Sequence, residues 1–204
     1  MAEENVFFVS GGLKIEGLLD KVEGDKGVVV THPHPLYGGS MHNNVVEAIV
    51  QAYTNAGYSA LRFNFRGVGN SEGSYENGIG EQDDVKAALV YLASLGKKEI
   101  DLAGYSFGAW VNALGLDRFE EAKRLIMVSP PVNFIDFDFL KYSSKIKLVI
   151  SGSADEIGGY RKIAEMLPKW NPEAMFRVIG GADHFYGGKT KEIQAIIEEF
   201  LDNN

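Results

Sequence analysis

Gly104-Tyr105-Ser106-Phe107-Gly108 sets a serine in the spacing G-x-S-x-G, the pattern of a sharp strand-to-helix turn that lifts a hydroxyl clear of a sheet. A serine hydroxyl is a poor nucleophile near neutral pH, so it needs a base within hydrogen-bond reach and a third group to orient that base. The chain has four histidines, His32, His34, His42 and His184. His184, in Gly180-Gly181-Ala182-Asp183-His184-Phe185, follows the last candidate strand and precedes the last helix, which makes it the best-placed base. For the orienting acid, Asp155 in Ser151-Gly152-Ser153-Ala154-Asp155 also follows a candidate strand, and Glu156 and Asp183 compete with it. Asp183 adjoins His184, but neighbouring side chains on an extended segment point apart, which favours a loop role for it. Asp155 gives the chain order Ser, Asp, His.

Acyl-transfer chemistry also needs fixed N–H groups for a developing oxyanion. Phe107, directly after the serine, is one expected backbone donor. The other belongs to the loop His32-Pro33-His34-Pro35-Leu36-Tyr37-Gly38-Gly39, where Pro33 and Pro35 have no N–H; His34 is the first choice by position, with Leu36 or Tyr37 behind it. His32-Pro33-His34 has the form of a two-histidine metal ligand, but it lacks a nearby acidic ligand, and the sequence is read as requiring no metal and no cofactor. Leu36, Tyr37, Phe107, Phe185 and Tyr186 could wall a substrate pocket. Trp110, inside a helix, is expected in the core. Arg66, Glu81 and Asp84 are read as a structural ion-pair group ahead of a substrate-binding one.

These residues need elements to hold them at one edge. Gly27-Val28-Val29-Val30-Thr31, Leu125-Ile126-Met127-Val128 and Leu148-Val149-Ile150 are short continuous apolar runs, as expected of parallel strands covered on both faces. Val85, Leu89 and Leu92 have helical spacing ahead of a stop at Gly96, and Ile193, Ile196, Ile197, Phe200 and Leu201 form a second stripe with Thr190 as candidate N-cap. Strands are predicted at 27–32, 58–65, 99–105, 124–129, 147–152 and 174–179, and helices at 42–56, 81–95, 107–116, 159–167 and 189–201. A strand pair from about Val6 to Asp20 turns at Gly11-Gly12, with Phe8, Leu13, Ile15 and Leu18 available for one buried side. The alternation implies an α/β fold, a mostly parallel sheet with helices on both faces, whose ligands sit at the carboxyl ends of the strands. The glycine-rich stretch from Gly67 to Gly80 is read as a long loop.

The 204 residues fit a single domain spanning 1–204. A net charge of -8 disfavours nucleic acid, which is bound largely through Lys and Arg. The acidic start Met1-Ala2-Glu3-Glu4-Asn5 lacks a secretory signal and no apolar run approaches the roughly 18 residues of a membrane span, so a cytoplasmic protein with no membrane association is expected. The absence of cysteine excludes a thiol nucleophile. The expected partner is a small-molecule ester; the sequence does not define an oligomeric state.

His32-Pro33-His34-Pro35 with Gly38-Gly39, the run Asn64-Phe65-Arg66-Gly67-Val68-Gly69-Asn70-Ser71, Gly104 to Gly108, Asp155 and Asp183-His184-Phe185 together resemble the α/β-hydrolase superfamily over nearly the full chain. More narrowly, the chain looks like its small, lidless bacterial members related to dienelactone hydrolases. The resemblance implies a serine carboxylesterase-type hydrolase and transfers nucleophile, acid and base to Ser106, Asp155 and His184. It departs from dienelactone hydrolases in having serine where those use cysteine. Only about 15 residues separate the strands ending near Ser129 and beginning near Lys147, too few for a cap domain. A thioesterase or peptidase with the same machinery is the alternative, since such a triad fixes acyl transfer and not the leaving group. A binding protein that keeps the fold without catalysis is a third reading.

Overall fold

Two glycines at positive φ, Gly11 at 57° and Gly12 at 90°, turn the chain back between β1 (Glu3–Ser10) and β2 (Leu13–Asp20), the two-residue geometry that matches strand twist. This computed structural model describes residues 3–203. The remaining elements are β3 (Lys26–Thr31), α1 (Asn44–Asn55), β4 (Ser59–Phe63), α2 (Ile79–Ser94), β5 (Glu99–Tyr105) and α3 (Phe107–Leu114). They continue with β6 (Ala122–Val128), β7 (Ile146–Gly152), α4 (Tyr160–Trp170), β8 (Met175–Ile179) and α5 (Thr190–Asp202). One sheet runs in the order β1-β2-β4-β3-β5-β6-β7-β8, antiparallel from β1 through β2 to β4 and parallel from β4 to β8.

The apolar strand runs are continuous because each strand feeds two cores. On one face Val28 and Val30 pack with Ala103, Ile126 and Ile150 beneath α1 and α5. On the other, Val29 packs with Leu102, Leu125 and Val149 beneath α2, α3 and α4. Alternation along the pleat therefore sends neighbouring valines to opposite layers. The same parity corrects one expectation about the first hairpin. Ile15 joins the core cluster with Phe8, whereas Leu18, an odd number of residues on, is buried on the opposite face.

Element boundaries differ from the sequence reading where a side chain takes over a backbone group. Strand β4 ends at Phe63 and not at 65, because the N–H of Phe65 donates to His32 Nε2 and that of Arg66 to Asp84. Helix α4 runs past Pro168 to Trp170, whose burial in the core favours the added turn. Thr190 is the first residue of α5 and not its cap; Lys189 occupies that position and its side chain, paired with Glu192, makes no capping bond. Asn43 caps α1 by accepting the N–H of Val45 at 2.9 Å.

The segment 64–78 is a long loop fastened by buried charge, shorter than the sequence reading because α2 already starts at Ile79. Arg66 meets Asp84 through Nη2 at 2.8 Å and Nε at 3.1 Å, and it reaches Glu76 through Nη1 at 2.9 Å. Glu81, expected in this ion-pair group, instead accepts the N–H groups of Glu76 and Gly78 and shapes the entry to α2. Burial opposes the Arg66 charge, but the carboxylates of Asp84 and Glu76 outweigh it and raise its pKa further.

The Asp84 side chain is fully buried, so removing it leaves the buried Arg66 guanidinium with only the half-exposed Glu76 as a carboxylate partner. Asp84→Ala should cost about 3–5 kcal/mol in urea unfolding, whereas breaking the exposed Asp83–Arg118 pair with Asp83→Ala should cost less than about 1 kcal/mol.

Candidate active site

Ser106 sits between β5 and α3 with φ 54° and ψ −117°, a backbone region that costs a non-glycine residue on the order of 1–3 kcal/mol. The flanking glycines make this turn possible through close packing. A Cβ on Gly108 would lie 2.7 Å from the backbone oxygens of Thr31 and His32, and one on Gly104 would lie 2.6 Å from Thr31 Oγ1 and 2.5 Å from Asn112 Nδ2. The partner that demands glycine is thus the end of β3 and the side chain behind the elbow, more than the turn itself.

Three loops at the carboxyl edge converge on the serine. His184, after β8, lies with Nε2 2.9 Å from Ser106 Oγ. Its Nδ1 faces both carboxylate oxygens of Asp155, after β7, at 3.0 Å. Since a carboxylate only accepts, Nδ1 carries the imidazole proton and Nε2 is left as acceptor for the serine hydroxyl. Burial alone would raise the Asp155 pKa; the His184 contact, the Gly158 N–H and the Ser129 hydroxyl together hold it below the usual value. All three side chains are nearly buried, and the Tyr105 hydroxyl fixes the His184 backbone by donating to its carbonyl at 2.6 Å.

The competing acids serve elsewhere. Asp183 accepts the N–H groups of Phe185 and Tyr186, both at 3.0 Å, and so shapes its own loop. Glu156 is exposed, and its carbonyl takes a hydrogen bond from Asn133.

The loop after β3 narrows to one donor. Between Pro33 and Gly39 the N–H of Leu36 donates to His34 Nδ1, those of Tyr37 and Gly39 to the His34 carbonyl, and that of Gly38 to Pro35. Among the described residues the His34 N–H has no acceptor, and neither has that of Phe107 at the start of α3. Leu36 and Tyr37 are thereby removed as donors. Because His34 Nδ1 accepts from Leu36, the neutral ring carries its proton on Nε2 and donates it to the Tyr75 hydroxyl at 3.2 Å. Burial lowers the His34 pKa and favours this neutral form.

His32 has a different task. Its Nδ1 donates to the Pro33 carbonyl at 2.6 Å and its Nε2 accepts from the Phe65 N–H at 3.0 Å, which ties the loop after β3 to the loop after β4. With both nitrogens engaged, His32 offers no lone pair to a metal shared with His34.

A cleft of about 680 Å3 opens over Ser106 and His184. Tyr37, Phe107 and Phe185 line it as the sequence suggested, joined by Phe134, Ile135 and Ile157. Two expected wall residues are elsewhere: Leu36 points to solvent at 67% exposure, and Tyr186 is fully buried behind the acid. Trp110 packs partly buried against the core beside Phe107. Phe134 and Ile135 come from the connection between β6 and β7, which is too short for a cap yet long enough to form a wall.

Comparison with known proteins agrees with this architecture. No family model matches the chain. Uncharacterized protein RP471 of Rickettsia prowazekii (strain Madrid E) is 34% identical over 208 residues, covering 96% of this chain and 87% of that protein. An alpha-beta serine hydrolase homologue from Coxiella burnetii superimposes with a TM-score of 0.90 at 32% identity over 98% of both chains. XC6422 from Xanthomonas campestris, described as an a/b serine hydrolase without lid, gives a TM-score of 0.90 at 29% identity, covering 100% of this chain and 95% of that one. With an eight-stranded, mostly parallel sheet, helices on both faces and no cap domain, the chain belongs to the α/β serine hydrolases.

Burial pushes the His32 pKa down to about 4, against an ordinary value of 6.5. Between these values the unfolded chain binds the proton and the folded one does not, so stability is full above 6.5 and falls as the pH drops toward 4. This one group should remove on the order of 3 kcal/mol over that interval. Denaturant midpoints measured from pH 7 to pH 4 should fall, and His32→Asn, less stable at pH 7, should fall less steeply.

Proposed function

We propose that the chain hydrolyses small carboxylic esters through an acyl-enzyme on Ser106. The observation that carries this reading is the unbroken line of hydrogen bonds from Ser106 Oγ through His184 to Asp155, opening into a cleft. Ser106 Oγ attacks the ester carbonyl while His184 Nε2 takes its proton, and Asp155 stabilises the resulting imidazolium. The carbonyl oxygen becomes an oxyanion and takes hydrogen bonds from the N–H groups of Phe107 and His34. His184 returns the proton to the leaving alkoxide, which departs as the alcohol. Water, deprotonated by His184, then attacks the acyl-enzyme; its collapse releases the carboxylic acid and restores Ser106.

The walls narrow the substrate. Aromatic and aliphatic side chains surround the serine, and apart from His34 and His184 none of the lining residues carries a titratable acid or base other than tyrosine. Arg66, within the run Asn64 to Ser71, is held by Asp84 and Glu76. An uncharged acyl group suits such a surface, because a carboxylate there would lose water without gaining a partner. We infer that the chain acts as a single domain in the cytoplasm, without a cofactor.

Ser106→Ala should lower turnover of p-nitrophenyl butyrate by about three orders of magnitude or more, and a fluorophosphonate should label the unaltered protein at Ser106 alone. Activity retained in the variant would sink the assignment. Rates on ester, thioester and amide substrates with one common acyl group should rank the ester first; a faster thioester or amide would move the proposal to that leaving group.

A further inference from the structure

Among the described residues four that are not glycine have positive φ: Asn77, Ser106, Ser129 and Tyr186. Asparagine tolerates that region through its short polar side chain, but serine and tyrosine do not. The other three belong to one hydrogen-bonded chain. Ser129, at φ 45°, follows β6 and is fully buried, with Oγ 2.5 Å from Asp155 Oδ2 and 2.7 Å from the Tyr186 hydroxyl. Tyr186, at φ 54°, is also fully buried.

The directions of these bonds follow from the groups. Asp155 is held ionised and can only accept, so the single Ser129 proton goes to Oδ2. Tyr186 must then donate to Ser129. Burial raises the Tyr186 pKa, so the phenol keeps the proton it donates. The other carboxylate oxygen, Oδ1, accepts the N–H groups of Ile157 at 2.9 Å and Gly158 at 2.7 Å. Asp155 is therefore gripped on both oxygens, by backbone on one side and by Ser129 on the other.

We propose that Ser129, oriented by Tyr186, is a positioning residue that sets the angle and basicity of Asp155 toward His184. This rests on Asp155 being the acid of the proposed site. Strain held at three linked positions marks a place where geometry is maintained against local cost. The hydroxyl spreads the carboxylate charge, and without it Asp155 binds the His184 proton more strongly and raises the imidazole pKa. Other groups face this pair without replacing that contact. Tyr105 of β5 lies beside the His184 ring, and Asp183 is occupied by its own loop. Glu156 is exposed, and with Arg161, Lys162 and Glu165 of α4 it borders a hollow that Asp155 also lines.

The test compares Ser129→Ala, Tyr186→Phe and the double variant by kinetics on p-nitrophenyl butyrate and by NMR titration of the His184 imidazole. Ser129→Ala should lower kcat about tenfold, part of the roughly 100- to 10,000-fold that a general base supplies, with KM changed less than about twofold. The acid limb of kcat/KM and the NMR titration should both move upward by about half a pH unit. Tyr186→Phe should shift the titration the same way by less, and the double variant should shift it no further than Ser129→Ala. A folded Ser129→Ala protein with an unmoved or lowered His184 titration would overturn the inference, as would additive shifts. Should Ser129→Ala fail to fold, Tyr186→Phe decides by the same sign. The NMR titration needs no substrate, so a protein inactive on esters would count against the proposed function while still deciding this inference.

Discussion

The backbone of Ser106 stands at φ 54° and ψ −117°, a conformation it would leave if its surroundings allowed, and the site depends on the packing that prevents this. Strand β5 enters the turn at the centre of the sheet, with β3 on one side and β6 on the other. Helix α3 leaves it across the end of β3, so close that Gly108 admits no side chain. The Ser106 N–H is anchored to the Val128 carbonyl at 2.9 Å. Each restraint belongs to the sheet core, which is why the Ser106 hydroxyl can be held in place with few contacts of its own.

Much of this was legible in the chain. Valines at 28, 29 and 30 declare a strand with both faces covered, and the polar residues after successive strands identify the carboxyl edge. Ser106, His184 and Asp155 fall together because each follows a strand that the apolar runs already define. The misreadings have specific causes. Tyr186 follows Phe185 and looked like a second wall residue, but its positive φ turns it inward to Ser129. Ser129 carried a visible signal, a polar residue closing an apolar strand, yet its use depends on the distance between β6 and β7 loops, which no local pattern encodes. Thr190 had the residue type of a cap but not the position, and no periodicity separates a cap from the residue after it. The Pro33–Gly39 loop was legible only by elimination of its prolines; its bonding decides among the remaining N–H groups.

Electrostatics divide the molecule in a similar way. Charges that stabilise the fold are paired away from the cleft, as Arg66 of the loop after β4 is with Asp84 of α2 and Arg124 of β6 with Asp101 of β5, while the cleft walls are rings and aliphatic chains. Two histidines of one short motif follow that division. His32 is a neutral buried strut between loops, and His34 lines the cleft, its backbone N–H without an acceptor among the described residues. Similar residues two positions apart thus differ because one ring is enclosed by Phe65 and the other is bordered by open space.

The sheet order gives the linked residues a further consequence. Ser106, Ser129, Asp155 and His184 follow β5, β6, β7 and β8, four adjacent strands laid down in chain order, with β8 at the outer edge. As the chain leaves the ribosome, the serine elbow is made first and the imidazole that faces it is made last. A nascent chain therefore carries Ser106 without the imidazole that faces it until the outermost strand has docked, and the hydroxyl gains that hydrogen-bond partner only when the sheet is complete.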